Sequence, residues 1–389
     1  MRVAIVAEYY PRAADPVLGV WAHRQALAAR DAGADVRVFV LHRPIPPVAE
    51  LRRDGPSALL GPLRQPLRAT LDGIEIRYVP FVAPPRWRAY GAWGAWAAPT
   101  LALALRRLHA RWPFDLVHAH YAAPAGDAVR RARLRVPYVV SAHGGDVLSV
   151  AHLEGAGGRA VRSALAGARL VLANSAGTAR RAESLGARAT RVVHLGTDIP
   201  EADGGQEAPP LLTTVAHLVA RKRHADVLRA LWLLRDEHPD LRWEVIGEGP
   251  EREAIAGLAG ELGLAERVRL RGQLPPAEAR AAARTGTAFV LPSVDEAFGV
   301  AYVEAMAGGV PAIGARGEPG PEEIVACGGG MRLVAPGEPE SLARELAALL
   351  DEPAWRRELG AAARANVEAH FTWPGCGEAT VAAYQDALR

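Results

Sequence analysis

Short apolar runs alternate with helical stretches along most of the chain. The runs are nearly continuous and rich in Val, Ile and Leu, which is typical of parallel strands covered on both faces. We predict strands near Val3–Ala7, Val36–Leu41, Ile74–Val79, Leu116–Ala119, Tyr138–Ala142, Leu170–Ala173, Val192–Leu195, Leu212–Ala216, Trp243–Gly247, Val268–Arg271, Ala288–Leu291 and Ala312–Gly314. The pattern therefore predicts an α/β protein with doubly wound parallel sheets.

A polar segment divides this pattern into two similar halves. Residues 201–210, EADGGQEAPP, contain three acids, two glycines and two prolines without hydrophobic periodicity, which is typical of a linker. We predict one Rossmann-like domain over residues 1–200 and a second over residues 211–372. Ligands of such sheets bind at the carboxyl ends of the strands. Two domains facing each other across a cleft would then hold a donor on one side and an acceptor on the other.

Two segments of the first half are less regular. Residues 43–70 are rich in proline and predict a long surface loop. Residues 86–112 carry Trp87, Tyr90, Trp93 and Trp96 at i, i+3 spacing, followed by leucines and arginines. This second segment is either an amphipathic helix that touches a membrane or a lipid acceptor, or a helix packed on the sheet with a basic outer face.

Composition and charge exclude several classes of protein. Hydrophobic residues make up 50% of the 389 residues and charged residues 23%, which is too apolar for a disordered chain. The formal net charge of +3 does not indicate a nucleic-acid partner. The two cysteines, Cys327 and Cys376, exclude a disulfide scaffold and a Cys-based zinc site. With neither an apolar run long enough for a membrane span nor a signal-peptide pattern, we expect a cytoplasmic protein, at most peripheral to a membrane.

Only one of the 46 basic residues is a lysine, Lys222. Lysine carries a compact, strongly hydrated charge, whereas arginine presents a planar fork. Either a compact ammonium is needed at this position, or a single lysine has survived by chance in an arginine-rich chain.

The strongest local signal is the segment Pro292–Pro311, PSVDEAFGVAYVEAMAGGVP. It follows a predicted strand, and its closing glycines and proline end a helix that we expect to run from Phe298–Gly299 to Ala307. The free amides of Phe298, Gly299 and Val300 would lie at the start of that helix. Backbone amides and the helix dipole favour an anion there, such as a diphosphate.

Two carboxylates accompany this helix. Glu304 lies inside it and can accept two hydrogen bonds from a vicinal diol such as a ribose. Glu296 lies in the preceding loop and could hold sugar hydroxyls. A hydrolytic pair is the alternative, but eight residues along one helix span about 12 Å, more than the carboxylates of glycosidases allow.

Polar residues follow the strands of the first half in the same way. His118 and His120 close one predicted strand and precede Tyr121, while His143 and Asp146 follow the next strand. Strand carboxyl ends are where ligands bind. Three histidines could hold zinc, but no cysteine and no Glu-His pairing on a helix accompanies them, so we expect no metal.

One glycine stands at the start of the first predicted helix. Gly19 precedes the helix expected over Val20–Ala32. Because glycine lets the backbone approach a ligand closely, this position could contact a phosphate.

Taken together, these motifs resemble family 4 of the retaining glycosyltransferases, which have the two-domain GT-B fold. The donor motif of that family is a Glu, seven residues and a second Glu, here Glu296 and Glu304, with Pro-Ser before it and Gly-x-Pro after it. Further blocks match in order across nearly the whole chain: HLGTD at 194–198, IGEGPE at 246–251 and the loop at 271–274. The block at 215–224, VAHLVARKRH, departs from the family pattern, with His217 in place of an arginine and Arg223 in place of a glycine.

The resemblance implies a role for each of these positions. Arg221 and Lys222 would neutralise the leaving diphosphate without a metal, and the loop with Gly272 and Gln273 would lie near the nucleotide base. His143 would lie beside the donor sugar. The acceptor side would be shaped by His118, His120, Tyr121 and Asp146.

The reaction implied is the transfer of a hexose, with retention, from a UDP- or GDP-sugar to a hydroxyl of a sugar, lipid or small-molecule acceptor. Asp146 is the one first-half candidate for a carboxylate nucleophile, and the resemblance implies instead a front-face reaction in which the leaving phosphate deprotonates the acceptor. The phrases of the first half are most similar to members that build cell-surface polysaccharides of the teichuronic-acid type. The segment 373–389 would pack back on the first domain, and no cofactor is expected.

Two other readings of the same motifs stay open at this point. A nucleotide-sugar epimerase would need no acceptor, but it would need an acid–base pair at the sugar. A nucleotide-sugar-binding protein without catalysis would bind tightly and show no turnover.

Overall fold

The computed structural model describes residues 1–13, 15–46, 51–52, 55–60, 64–149, 155–201, 204 and 209–389. The chain forms two compact units. The amino-terminal unit comprises Met1–Leu195 together with Trp373–Arg389, and the carboxyl-terminal unit comprises Gly196–Thr372.

In the described part of the amino-terminal unit, eight strands form a sheet in the order β3-β4-β2-β1-β5-β6-β7-β8. Its strands are β1 (Arg2–Ala7), β2 (Asp35–His42), β3 (Arg68–Leu71), β4 (Ile74–Pro80), β5 (Leu116–His120), β6 (Tyr138–Ala142), β7 (Leu170–Ala173) and β8 (Thr190–Val192). All neighbouring strands are parallel except β3, which pairs antiparallel with β4 at the edge. The long apolar runs form the central strands, and β5 and β6 are buried along almost their whole length.

Helices cover this sheet. They are α1 (Val20–Asp31), α2 (Arg86–Ala89), α3 (Trp93–His109), α4 (Asp127–Ala132), α5 (Ala156–Gly167), α6 (Ala176–Ser184) and, at the end of the chain, α14 (Trp373–Leu388). Apolar side chains of α3 and α5 join those of the central strands in one core, with Leu101, Leu105 and Val161 fully buried.

The last helix, α14, packs against α1. A Cβ at Gly377 would lie 2.2 Å from the carbonyl oxygen of Ala28, so only glycine permits this close approach. Gln25 donates a hydrogen bond to the Thr380 hydroxyl over 3.2 Å. The end of the chain is therefore part of the amino-terminal unit.

The carboxyl-terminal unit is built on a six-stranded parallel sheet in the order β11-β10-β9-β12-β13-β14. Its strands are β9 (Leu211–Val215), β10 (Arg242–Ile246), β11 (Val268–Gly272), β12 (Ala288–Leu291), β13 (Ala312–Ala315) and β14 (Met331–Val334). Its helices are α7 (His224–Leu233), α8 (Arg252–Glu261), α9 (Pro276–Ala283), α10 (Val300–Met306), α11 (Pro319–Cys327), α12 (Pro339–Asp351) and α13 (Pro353–His370). Its core centres on the fully buried Trp243, whose indole donates to the Thr214 hydroxyl over 2.9 Å.

The predicted element boundaries need several corrections. The segment 43–70 is not one loop, because it contains a short helical turn at Gly55–Leu59 and leads into β3. Strand β14 was not predicted, and the strand expected at Val192–Leu195 lies at Thr190–Val192 instead. The two strands that were not predicted, β3 and β14, are four-residue edge strands with partly exposed positions. Such strands lack the continuous apolar run on which the prediction relied.

The division between the units falls earlier than the predicted boundary at residue 200. Thr197 belongs to the carboxyl-terminal unit, because its amide donates to the carbonyl of Phe371 over 2.8 Å. Of the predicted linker 201–210, residues 202, 203 and 205–208 lie outside the described residues.

The segment 86–112 forms α2, a single turn at Tyr90–Ala92 and then α3. Trp93 is buried and packs on Phe81, with ring centroids 5.7 Å apart, whereas the Trp96 side chain is 53% exposed. The side chain of Trp87 lies outside what the structure describes. The helix is therefore packed on the sheet with an exposed outer face. No helix among the described residues combines the length and the apolar character of a membrane span.

Candidate functional site

The loops that follow β9 and β12 meet at the carboxyl edge of the second sheet. The loop after β9 ends in a helical turn at Ala220–Lys222. The amide of Val294, in the loop after β12, donates to the carbonyl of Arg221 over 2.8 Å. Neighbouring parallel strands bring their carboxyl ends to one edge, which explains why two loops about 70 residues apart in sequence share a site.

Lys222 and Glu296 form a buried ion pair at this edge. Lys222 is 9% exposed and Glu296 is 8% exposed, and the Lys222 ammonium donates a hydrogen bond to Oε2 of the Glu296 carboxylate. The Ser293 hydroxyl donates to the same Oε2 over 2.8 Å, and Arg221 Nη1 lies 4.0 Å from it. Among the described residues Oε1 receives no hydrogen bond. Both hydrogen bonds from the described side chains thus go to Oε2, and Oε1 remains available to accept a hydrogen bond from a ligand.

Glu296 is ionised in this setting. Burial alone would raise the pKa of its carboxyl, but the charge and hydrogen bond of Lys222, the Ser293 hydroxyl and the charge of Arg221 together lower the pKa below its ordinary value. The backbone amide of Glu296 in turn donates to a carboxylate oxygen of Glu318 over 2.8 Å. The loop is therefore fixed both through its side chain and through its backbone.

The helix after this loop, α10, begins at Val300, slightly later than predicted, and ends at Met306. Gly299 precedes it with φ of 83°, and a Cβ there would lie 2.3 Å from the ring of Tyr302. Phe298 turns its side chain inward against Phe371, with ring centroids 5.7 Å apart. The Phe298 side chain is therefore part of the packing, and a contact of the amides of Phe298, Gly299 and Val300 with a diphosphate stays a prediction.

The other residues predicted to contact a donor lie on neighbouring elements of the same unit. Glu304 is half-buried in α10, and its carbonyl accepts a hydrogen bond of 3.0 Å from Arg284. Gly272 ends β11 with φ of 75°, and a Cβ there would lie 2.9 Å from a carboxylate oxygen of Glu248. Gln273 follows and is exposed. His217, which stands where the family has an arginine, is exposed in the loop after β9.

In the amino-terminal unit, Asp146 holds two strand-end loops together. Its side chain is fully buried and accepts hydrogen bonds from the amides of Ala122, at 2.8 Å, and of His143 and Gly144, both at 3.1 Å. Burial raises the pKa of this carboxyl, and the backbone donors oppose that rise. With both oxygens engaged by the backbone and no exposure to solvent, Asp146 is an organising residue and not a free nucleophile.

The three histidines of this edge form a connected set. His118 directs Nδ1 to the hydroxyl of Tyr384 and Nε2 to that of Ser141, both over 2.7 Å. His120 Nδ1 lies 3.0 Å from His143 Nε2. Because His118 uses both ring nitrogens on protein oxygens, the three rings do not converge as metal ligands.

The tautomers of His120 and His143 follow from the burial of one atom. His120 Nε2 is buried and has no partner among the described residues. An unpaired buried N–H costs more than an unpaired lone pair, so the proton of His120 belongs on Nδ1, from which it donates to His143. His143 then carries its own proton on Nδ1, and that atom makes no hydrogen bond within the described residues. His143 therefore offers an N–H donor to a ligand.

His143 belongs to a group of neighbouring aromatic side chains, which we call the aromatic wall. It consists of Tyr9, Trp21, Tyr121 and the imidazole itself, with the Trp21 and His143 ring centroids 4.1 Å apart and those of Tyr9 and Tyr121 5.0 Å apart. All four side chains are partly exposed. Gly19, predicted for a phosphate, has φ of 66° and sits against the backbone of Tyr9, which a Cβ would approach to 2.3 Å. The positive φ and the packing on Tyr9 both favour glycine here, and the phosphate contact of Gly19 stays a prediction.

Sequence reasoning missed Glu8, which directly follows β1 at the same edge. Glu8 is 5% exposed. Its carboxylate accepts a hydrogen bond of 2.6 Å from the Tyr90 hydroxyl and lies 3.3 Å from Arg86 Nη1. Burial raises the pKa of this carboxyl, although Arg86 and Tyr90 oppose the shift. The signal that would have identified it is its position after a strand, the same one that indicated His143.

The buried histidines predict how stability depends on pH. Burial lowers the pKa of His120 from 6.5 to about 3 and also lowers those of His118 and His143. The unfolded chain binds protons at these side chains below pH 6.5, whereas the folded chain does not. Their contribution to stability is therefore complete above pH 6.5 and declines as the pH falls toward the folded pKa, by about 1.4 kcal/mol per pH unit for each histidine.

Urea unfolding at pH 7.5, 6 and 5 measures this dependence. We expect His120→Leu to make the decline shallower by about one histidine's share. His370→Gln, which removes an exposed histidine, is the matched control. A slope that is the same in all three proteins would contradict the assignment.

Two family models match the chain. The model described as Glycosyltransferase Family 4 matches residues 18–201, and the model described as Glycosyl transferases group 1 matches residues 197–366. Together they span residues 18–366, which include the predicted site residues from Gly19 to Glu304.

Similar proteins carry the same assignment. The chain is 31% identical to D-inositol 3-phosphate glycosyltransferase 1 of Catenulispora acidiphila over 84% of each protein. It is 27% identical to the putative teichuronic acid biosynthesis glycosyltransferase of Bacillus subtilis over 80% of each protein. Among solved structures, Anabaena HepE in complex with UDP and glucose matches with a TM-score of 0.73 and 19% identity, over 99% of each chain.

That last likeness shows the fold, which is the GT-B fold of two Rossmann-like domains. The identity to the inositol-phosphate enzyme extends along most of both proteins. The resemblance seen in the sequence motifs is thereby confirmed, and the chain belongs to family 4 of the GT-B glycosyltransferases.

Proposed function

We propose that this glycosyltransferase transfers a hexose from a UDP-sugar to a hydroxyl of a saccharide or cyclitol acceptor, with retention of configuration and without a metal. The observation that carries the proposal is the buried Lys222–Glu296 pair at the carboxyl edge of the second sheet, with Arg221 beside it. A nucleotide and a sugar bound to HepE, a protein of the same fold, support the choice of donor.

The pair accounts for binding of a diphosphate. The ammonium of Lys222 has three N–H groups and gives one to Glu296, which leaves two for phosphate oxygens. The Arg221 side chain is 45% exposed and lies only 4.0 Å from the same carboxylate. Two cations fixed before the reaction stabilise the charge that develops on the leaving group, which is the task a metal would otherwise perform.

Two observations support sugar binding with retention. Glu296 Oε1 has no protein donor among the described residues, so it can accept a hydrogen bond from a sugar hydroxyl. Asp146, the candidate nucleophile of the amino-terminal unit, has both carboxylate oxygens engaged by backbone amides. A front-face reaction, in which the leaving phosphate takes the proton of the acceptor hydroxyl, needs no carboxylate nucleophile.

The aromatic wall supports a ring-shaped acceptor. Tyr9, Trp21 and Tyr121 present flat apolar faces beside the N–H donor of His143. A sugar or cyclitol has an apolar C–H face and hydroxyl oxygens around it, so it can stack and accept a hydrogen bond at once. One similar protein is named for D-inositol 3-phosphate and another for teichuronic acid synthesis, and both names fit an acceptor of this chemistry.

A thermal-shift panel with UDP, GDP and ADP, each with and without a chelator, tests the donor. A true ligand at 100 times its Kd stabilises the protein by about 2.7 kcal/mol. We expect UDP to raise the melting temperature regardless of the chelator. NMR of the product formed from UDP-glucose then shows the anomeric configuration, and formation of an epimerised UDP-sugar without acceptor would support the epimerase instead.

Glu304 provides a further test of the donor site. If its carboxylate holds the ribose diol, Glu304→Ala removes two charge-assisted hydrogen bonds and weakens UDP binding by about 10- to 100-fold. Glu358, an exposed glutamate of α13 in the same unit, is the matched control. Titration calorimetry with UDP measures both variants, and an unchanged Kd in Glu304→Ala would remove this residue from the donor site.

A further inference from the structure

Five arginines line a groove on the amino-terminal unit. The groove has a volume of about 700 Å³ and lies between the edge of the sheet and the end of α3. Its basic residues are Arg37, Arg68, Arg77, Arg107 and Arg111, and Glu75 is the one acid among the described residues that line it.

The register of the strands explains why these side chains meet. Glu75 of β4 is level with Arg37 of β2, and Arg77 of β4 lies directly opposite Arg68 of β3. Residues two apart in a strand point to the same face of a sheet, so these four side chains share one face. The end of α3 lines the other side of the groove.

The positive charge of this groove is mostly uncompensated. Arg37 pairs with Glu75, with Nε and Oε2 3.4 Å apart. Within the described residues, the guanidinium groups of the other four arginines make no ion pair and no hydrogen bond. Like charges directly opposite in neighbouring strands destabilise a sheet, and Arg68 and Arg77 occupy such positions. The free protein therefore carries an electrostatic cost that a bound anion would remove.

The pKa of Arg77 is also affected by the neighbouring positive charges. Partial burial lowers it, and the nearby charges of Arg68, Arg107 and Arg111 lower it further. These four guanidinium groups thus repel one another, and the nearby Glu75 pairs with Arg37. An anion with more than one negative charge would relieve several of these repulsions together.

We propose that this arginine groove binds a phosphate group, at a site separate from the carboxyl edge of the sheet. Planar guanidinium groups bind phosphate through two parallel hydrogen bonds. Arg37 is level with Ala4 of β1, four residues and about 13 Å before Glu8 along the strand direction. The ligand would thus occupy a different part of the unit from the acceptor.

Two sources can present this phosphate. A soluble phosphorylated molecule can fill the groove by itself. A phospholipid headgroup can do so while its acyl chains stay in a bilayer, and α3 favours this source because the side chains of Trp96 and Leu103 are 53% and 50% exposed. Leu103 and Arg107 are four residues apart and therefore neighbours on one face of the helix.

Two binding measurements on the full chain test the proposal. The first is titration calorimetry with inorganic pyrophosphate, and the second is sedimentation with vesicles of phosphatidylglycerol and phosphatidylcholine compared with phosphatidylcholine alone. Both are made on the wild type, on the double variant Arg77→Gln/Arg107→Gln and on Arg188→Gln. Arg188 is an exposed arginine of the same unit that makes no ion pair among the described residues, so its variant shows the effect of removing one positive charge elsewhere on that unit.

We expect the double variant to lose one pyrophosphate site, or to bind anionic vesicles at least tenfold more weakly, while Arg188→Gln behaves as the wild type. A loss in the first measurement identifies a soluble ligand, and a loss in the second alone identifies a lipid headgroup. If the double variant matches Arg188→Gln in both, the proposal is overturned. The donor site is intact in all three proteins, so this outcome is independent of the proposed transferase reaction.

Melting temperature without ligand separates binding from folding. Because the substitutions remove repelling charges, we expect the double variant to melt at or above the temperature of the wild type. A clearly lower melting temperature would show that these arginines already have stabilising partners, and it would also overturn the proposal.

Discussion

Lys222→Met is expected to lower kcat by about 100- to 1000-fold, the usual effect of removing one fixed donor from developing charge. It should also destabilise the protein. The Lys222 and Glu296 side chains are only 10% and 11% exposed, and removing one partner of a buried pair costs about 3–5 kcal/mol because the other charge stays buried. Steady-state kinetics and urea unfolding measure the two effects separately.

The double variant Lys222→Met/Glu296→Gln distinguishes stability from catalysis. Replacing Glu296 with an uncharged side chain removes the unpaired charge, so we expect most of the lost stability to return while kcat stays low. Lys222→Arg keeps the charge but not the compact ammonium, and we expect it to restore little turnover. Wild-type turnover in Lys222→Met would remove this residue from the reaction, whatever its effect on folding.

His143→Ala is expected to lower kcat by about 100-fold or more, because it removes the N–H donor that we assign to Nδ1. Its effect on the Kd of UDP should be small, since His143 belongs to the amino-terminal unit and the proposed diphosphate contacts belong to the carboxyl-terminal unit. Rate measurements at saturating donor and acceptor, together with UDP titration, separate the two quantities.

His143→Asn is the informative companion. The asparagine amide nitrogen, like Nδ1 of histidine, is one carbon away from Cβ, so it can place an N–H donor near the same position. We expect it to recover part of the rate that His143→Ala loses. Equal rates in the alanine and asparagine variants would argue against a donor role, and a normal rate in His143→Ala would exclude His143 from the site.

Burial also affects the charge of the His143 imidazole. Its pKa is lowered by burial and by the neighbouring His120, so the imidazole is neutral near pH 7. A neutral ring with its proton on Nδ1 can donate a hydrogen bond without carrying charge. This property depends on His120, whose buried Nε2 determines which nitrogen is protonated.

Several residues of the proposed sites could be located from the sequence because a parallel sheet presents its strand ends at one edge. His143, Lys222 and Glu296 all lie in loops that follow predicted strands, and those strands are recognisable from the sequence. Glu8 obeys the same rule and was missed, since the segment after β1 contained no recognised motif. The same reasoning could not reveal that both carboxylate oxygens of Asp146 accept hydrogen bonds from backbone amides, because those amides belong to two separate loops.

The sequence by itself determined the fold class, the family and the loops of the proposed sites, because hydrophobic periodicity reports the burial of each residue and the motifs are local. Only the tertiary structure decided which groups pair. The bond between Lys222 and Glu296 joins residues 74 positions apart, and the arginine groove exists because β3 pairs antiparallel with β4 in one particular register. Strand order and register depend on interactions between distant segments, and local periodicity contains no record of them.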